Sequence, residues 1–240
     1  MRNKSAKSGR NNRPASQGHP GRKSGLSESE RFEICVGAIL TQNTSWKNVE
    51  KAIESLNRNR MMEPRKLYSA PLIRLSSLIK SSGFFRQKAV KIKRFSEYLL
   101  KKHPEGISEW FKNSNPEELR DELFAMYGIG PETADSIVLY AAEKPKFVID
   151  AYTLRIFARI GIFNSPLTKG VVRLRRNGVF KNYHEAQKCF EENLPKDTLM
   201  YQEYHALLVK LGKDFCKKKN PLCVGCPIEV LCKKKIQDKK

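Results

Sequence analysis

Four cysteines gathered in one short segment, Cys216, Cys223, Cys226 and Cys232, constrain this chain more than any other feature. Their spacing is six, two and five intervening residues, and Pro221, Gly225 and Pro227 lie among them. So turn-rich a stretch cannot build a core of its own, but it can wrap one metal centre. Four thiolates suit either tetrahedral zinc or a [4Fe-4S] cluster. Zinc sites usually pair two close hooks across a longer gap, whereas here only the central pair is close. That spacing favours a [4Fe-4S] cluster, with Zn as the alternative. Cys35 and Cys189 sit among apolar residues at helical spacing and read as packed thiols without a role.

Charge narrows the partner. Lys and Arg number 46 against 25 Asp and Glu, a formal net charge of +21 on 240 residues. Such a chain repels itself unless it works on a polyanion, so nucleic acid is the first expectation and an anionic membrane surface the second. No stretch approaches the roughly 18 to 20 consecutive apolar residues of a membrane span, and no apolar block of a secretory signal opens the chain. A cytoplasmic, nucleoid-associated monomer is expected, in which six cysteines stay reduced unless they hold metal.

Residues 1–26 carry seven Lys or Arg and no acid. This composition predicts a disordered basic arm, either a weak phosphate contact or an inert solubilising tail. Ser27-x-x-Glu30 has capping-box spacing before the apolar run from Phe32 to Leu40, so order is expected from there. Apolar residues then recur at three and four spacing, without strand-like alternation, to about residue 144. Examples are Val49, Ala52, Ile53 and Leu56, then Leu75, Leu78 and Ile79, then Leu119, Leu123 and Phe124 behind the capping pair Asn115-Pro116. A second helical set is predicted near 151–160, 184–194 and 200–212. The fold class is therefore all-α.

In Tyr127-Gly128-Ile129-Gly130-Pro131-Glu132-Thr133-Ala134 one helix ends at a glycine and another starts almost at once. Gly128 and Gly130 can adopt backbone shapes forbidden to side chains, which would let amides at the next helix's start face a phosphate. The same residues would also serve as an ordinary tight connection between helices.

This hairpin, followed by Val148-Ile149-Asp150 and then by the cysteine loop, resembles the endonuclease III superfamily over residues 27 to about 236. Leu40-Thr41-Gln42-Asn43-Thr44 is similar to that family's early segment, whose glutamine helps fill the gap left by a flipped nucleotide. Ser82-Gly83-Phe84-Phe85-Arg86-Gln87-Lys88-Ala89 is similar to its middle loop, which lies against DNA. The resemblance implies two all-helical lobes flanking a DNA cleft: 27–144, a helical barrel carrying the helix-hairpin-helix, and 145–240, a lobe holding the cluster. It also implies double-stranded DNA containing a damaged base as partner, and Asp150 as the catalytic residue that stabilises positive charge on the sugar as the base departs. On position alone Asp150 would simply cap the helix beginning at Ala151.

Family members that also cut the strand carry a lysine just after the hairpin, where this chain has Glu132. A carboxylate cannot form a Schiff base, so a monofunctional glycosylase is expected; otherwise Glu132 is only an acid favoured in a helix's first turn. The segments Leu40 to Trp46, Ser82 to Phe85 and Gly128 to Asp135 look most like the methylpurine branch, which removes 3-methyladenine. The Trp-Trp-Pro segment of many such relatives is replaced here by Gly21-Arg22-Lys23-Ser24-Gly25. Gln42, Trp46, Glu132 and Tyr152 are the candidate pocket residues, with Trp46 either a stacking face for a charged base or a core tryptophan. Gly128, Gly130, Gln42, Phe85, Arg86, Lys217, Lys218 and Lys219 are the candidate DNA contacts, the three lysines otherwise a solvated charge run. The rival readings are a pyrimidine-lesion or mismatch glycosylase, with or without lyase action, and a DNA-binding module without catalysis.

Overall fold

The computed structural model describes residues 25–161 and 180–234. All but the last two residues of the expected basic arm lie outside that range. The described chain is helical and without strands: α1 (Glu28–Thr41), α2 (Trp46–Arg58), α3 (Pro64–Ser69), α4 (Leu72–Leu78), α5 (Phe85–Lys102), α6 (Ile107–Asn113), α7 (Pro116–Phe124), α8 (Pro131–Ser136), α9 (Ala151–Ile160), α10 (Phe180–Asn193) and α11 (Thr198–Asp214). A π-helical stretch, Ile137–Ala141, continues α8 without a break.

The helices begin where local chemistry satisfies their first amides. Ser27 and Glu30 form a reciprocal capping box on α1, and Asn115 with Glu118 does the same on α7, with Pro116 at the first helical position. Asp197 caps α11 through the amide of Met200 at 2.7 Å. Phe124, read as part of the apolar face of α7, is instead exposed, while Leu119 and Leu123 are fully buried.

Apolar side chains separate into two cores. The first spans residues 32 to 142 and includes Phe32, Val36, Leu56, Leu75, Phe95 and Trp110. The second gathers Leu139, Phe147, Val148, Ile149, Ile156, Tyr183, Phe190 and Tyr201. Phe147 stacks on Phe190 with ring centroids 4.1 Å apart and planes 5° from parallel. The π-helical stretch belongs to both cores, since Leu139 packs in the second while Ala141 packs in the first.

Polar clamps join the elements. Arg31 on α1 donates to the carbonyls of Leu26 and Ala141 and pairs with Glu143 at 2.9 Å, which fixes the end of the π-helical stretch. Lys146 is buried, and its Nζ reaches Glu117 at 2.8 Å and Glu191 at 3.3 Å, bridging α7 to α10. A buried ammonium needs such partners, because an unpaired one would be costly.

Candidate active site

Asp150 follows the buried run Phe147-Val148-Ile149, which anchors it in the second core just before α9. It is only 8% exposed. One carboxylate oxygen, Oδ1, accepts from the amide of Thr153 at 2.7 Å and from its hydroxyl at 2.8 Å, so the residue does cap α9. The other, Oδ2, faces Nε2 of His205 at 3.7 Å, beyond hydrogen-bond length but close enough for strong electrostatic coupling. Burial by itself would raise the carboxyl's pKa; the His205 ring and the two Thr153 donors outweigh it and hold Asp150 below the ordinary aspartate range.

Glu132 stands in the first turn of α8. The residue as a whole is exposed, yet protein crowds its carboxyl. That crowding, then the charge of Asp150 and then that of Asp135, pushes its pKa up to about 7. Two carboxyl groups with pKa values driven apart form the kind of pair that divides acid and base roles. Asp135, one turn further along α8, is fully buried and accepts from Arg120 Nε at 2.7 Å, Tyr183 hydroxyl at 2.5 Å and Gln187 Nε2 at 2.7 Å. It ties α7, α8 and α10 together. Spacing along the chain carries no sign of this network, whose members lie 15 to 52 positions from Asp135.

The hairpin is held by Gln42, just after α1, and by Lys91 on α5. Gln42 donates through Nε2 to the carbonyl of Gly128 and to the Thr133 hydroxyl, both at 3.0 Å, and accepts from Lys91 Nζ through Oε1. Gly128 has φ +79°, and a Cβ there would fall 2.5 Å from Cε of Lys91. Gly130 differs from expectation: at φ −91° and ψ 174° its backbone is one any residue adopts, and nothing lies within 4 Å of where a Cβ would stand. Its open surroundings, not its torsions, distinguish it.

In the middle loop Phe84 has φ +44° and is 65% exposed, while Phe85 leans on the first core with Arg86 over its ring at 5.9 Å. Trp46 packs against the first core and donates from Nε1 to Glu50 at 2.8 Å. Tyr152 lies against α11, so close to Gly212 that a Cβ there would sit 2.3 Å from its ring. Lys217, Lys218 and Lys219 are exposed.

All four cysteines of the loop line one small open pocket, together with Ile156, Phe215 and Ile228. None is in a disulfide. Arg159 on α9 donates to Cys216 Sγ at 3.2 Å and to the carbonyls of Lys217 and Lys218, and Arg155 donates to the Cys216 carbonyl at 2.8 Å. The amide of Lys234 approaches Cys232 Sγ at 3.4 Å. Cationic and amide donors on cysteine sulfur are what thiolate ligands need. Among the described residues no three His, Cys, Asp or Glu side chains are gathered as ligands of a single metal ion.

Residues 36–180 match the family model described as the HhH-GPD superfamily base excision DNA repair protein. A Methanocaldococcus jannaschii protein named as a DNA repair glycosylase is 42% identical over 204 residues, covering 84% of this chain and 85% of that relative. In fold, the chain is similar to an endonuclease III solved in a non-covalent complex with DNA, with TM-score 0.66 and 24% identity over 85% of this chain and 83% of that one. It is similar also to an H. pylori 3-methyladenine DNA glycosylase bound to 1,N6-ethenoadenine, with TM-score 0.58 and 22% identity over 78% and 89%. With the family model matched over residues 36–180 and a relative 42% identical across 84% of an all-helical chain, this chain belongs to the HhH-GPD superfamily of base excision DNA repair proteins, and its activity is that of a DNA glycosylase.

Proposed function

We propose that the protein is a monofunctional glycosylase that releases an alkylated purine, such as 3-methyladenine, from double-stranded DNA, with Asp150 as the catalytic residue. The observation that carries this reading is the buried Asp150 carboxylate at the start of α9, one oxygen held by Thr153 and the other facing His205, with Glu132 in the first turn after the hairpin where an imine would need an amine. Cleavage of an N-glycosidic bond develops positive charge on the sugar, and a fixed carboxylate in a sheltered site opposes that charge far better than bulk water. An alkylated purine already carries positive charge and leaves with little help from an acid, so flipping, stacking and Asp150 suffice.

The absence of strand cleavage is supported by where the amines are engaged. Lys88 donates to the carbonyls of Leu40 and Ser82 at 2.8 and 2.6 Å, Lys91 donates to Gln42, and Lys146 is paired with two glutamates. Glu132 cannot form an imine. The DNA face in this reading comprises Gln42, Gly128, Gly130, Phe85, Arg86 and Lys217 to Lys219, with Trp46 and Tyr152 nearer their helices than an open pocket wall. Cys216, Cys223, Cys226 and Cys232 fit a [4Fe-4S] cluster, because four unpaired thiols ring one cavity and meet cationic and amide donors. When bound, the cluster would supply a structural tie between the loop and α9, not substrate chemistry. The reading places the protein with the DNA of the nucleoid.

Duplexes each bearing one lesion, incubated with enzyme and then treated with alkali, test the substrate. Release from an alkylpurine duplex is expected, and cleavage confined to pyrimidine lesions would overturn the assignment. Borohydride is expected to trap no covalent complex. D150N is expected to lose base release by a factor of ~10² or more while still binding the duplex; full activity in that variant would refute the mechanism.

A further inference from the structure

Tyr140, His205 and Asp150 come from three separate elements and meet in a line. Tyr140 lies on the π-helical stretch, His205 on α11 and Asp150 before α9. The hydroxyl of Tyr140 is 2.7 Å from His205 Nδ1, and the two rings pack at 5.8 Å with planes 48° apart. Gln202, one turn before His205, donates from Nε2 to the carbonyl of Leu139 at 2.9 Å, which locks α11 to the π-helical stretch next to Tyr140. A π-helical turn is rare and often marks a functional position; here it sets the ring that faces His205. The far nitrogen of the histidine, Nε2, is buried without a hydrogen-bond partner and stands 3.7 Å from Asp150 Oδ2.

Buried polar atoms are nearly always paired, so an orphan aimed at a carboxylate calls for an explanation. The proton arrangement supplies it. When the Tyr140 hydroxyl donates to Nδ1, the neutral ring carries its hydrogen on Nε2, toward Asp150. When the hydroxyl instead donates to the carbonyl of Gln202, 3.4 Å away, Nδ1 must donate to the tyrosine oxygen. Nε2 then needs a second proton if it is not to turn a lone pair on the carboxylate. Both arrangements that avoid repulsion present an N–H to Oδ2. Oδ1 is already engaged by Thr153, so His205 is the group that governs the other oxygen.

We propose that His205 is a positioning residue for Asp150, presenting an N–H to the carboxylate oxygen that the α9 cap leaves over, with Tyr140 fixing the ring from behind. This rests on the reading of Asp150 as the catalytic carboxylate. The charged and titratable groups acting on Asp150 are Glu132 from α8, Tyr140 from the π-helical stretch and His205 from α11. Glu132 opposes the ionised form of Asp150 and His205 favours it. Without His205, the carboxylate would face Glu132 with Thr153 as its remaining donor. Apo contacts of this kind are often slightly long and tighten in the reacting complex.

The test is the pH profile of single-turnover base release on the lesion duplex identified above, together with a carbon-13 titration of the Asp150 carboxyl in DNA-free protein. H205L is expected to move the acid limb and the titration midpoint upward by about one pH unit. H205Q, whose amide can present an N–H near the position of Nε2, is expected to return both toward wild type. Y140F is expected to shift them in the same direction as H205L, but less. A merely structural role for His205 would lower melting temperature and leave the midpoint where it was, and that result overturns the proposal. Should H205L fail to fold by circular dichroism, the same titration on Y140F decides. The two failures are distinct: an inactive D150N with an unmoved H205L midpoint removes His205 alone, whereas an active D150N removes the reading of Asp150 and this proposal with it.

Discussion

Asp150 performs two tasks that substitution can separate. Its Oδ1 caps α9 through Thr153, and asparagine keeps an acceptor at that position while removing the charge. D150N therefore tests the charge, whereas alanine would also release the helix end. Glu132 provides a pH signature of the opposite kind. Its pKa rises from the ordinary 4.5 to about 7, so the folded protein binds a proton that the unfolded chain has lost. Wild-type stability should fall as pH rises through that window and level off above it. E132Q, uncharged throughout, is expected to match the wild-type melting temperature near pH 4 and to exceed it increasingly up to about pH 7, as followed by thermal scans at fixed pH. A constant difference across that range would show that the carboxyl does not feel Asp150 and Asp135. Asp150 acts in reverse: held low, it adds stability that is lost only as pH falls below the ordinary aspartate value.

At the scale of elements, the hairpin between α7 and α8 separates two glycines that look alike in sequence. Gly128 combines a left-handed backbone with Lys91 lying where a side chain would go. Gly130 has neither restriction. G128A is expected to lower folding stability by about 1 to 2 kcal/mol through its backbone torsion alone, with displacement of the Lys91 stem adding to the loss. G130A is expected to leave stability within about 0.5 kcal/mol of wild type. Urea denaturation midpoints compare the two directly, and equal losses would contradict this account of the hairpin. Lesion-duplex affinity of G130A then reports on the open space beside that residue without a folding effect to confuse it.

At the scale of the molecule, the two cores share the π-helical stretch, and Asp150 lies where the second core feeds into α9. The cysteine loop is fastened to that same helix by Arg155 in its middle and Arg159 in its last turn, while Asp150 caps its start. C216S is expected to remove bound iron and its visible absorption and to lower the melting temperature by several degrees. Wild-type protein purified with zinc and no iron would overturn the cluster assignment. The family match runs from residue 36 to residue 180, across the first core and into the part of the second that Leu139, Phe147 to Ile149, Ile156 and Phe157 supply.

Local chemistry was legible from the residues themselves. The capping box at Ser27, the cap at Asn115, the left-handed glycine at 128, the aspartate that caps α9 and the grouping of four cysteines all depend on neighbours within a few positions, and short spacing along the chain records them. What only the folded chain decided lies in pairs distant in sequence. Gln42 meets Gly128 across 86 positions, Asp135 meets Gln187 across 52, and Tyr140 meets His205 across 65. Spacing carries no trace of such meetings, because side chains that far apart are brought together only when apolar faces from separate helices bury one another and fix their mutual angle. Residue types and their spacing thus narrowed the chemistry open to the chain; packing decided which carboxyl is held low, which is pushed toward neutrality, and which histidine faces Asp150.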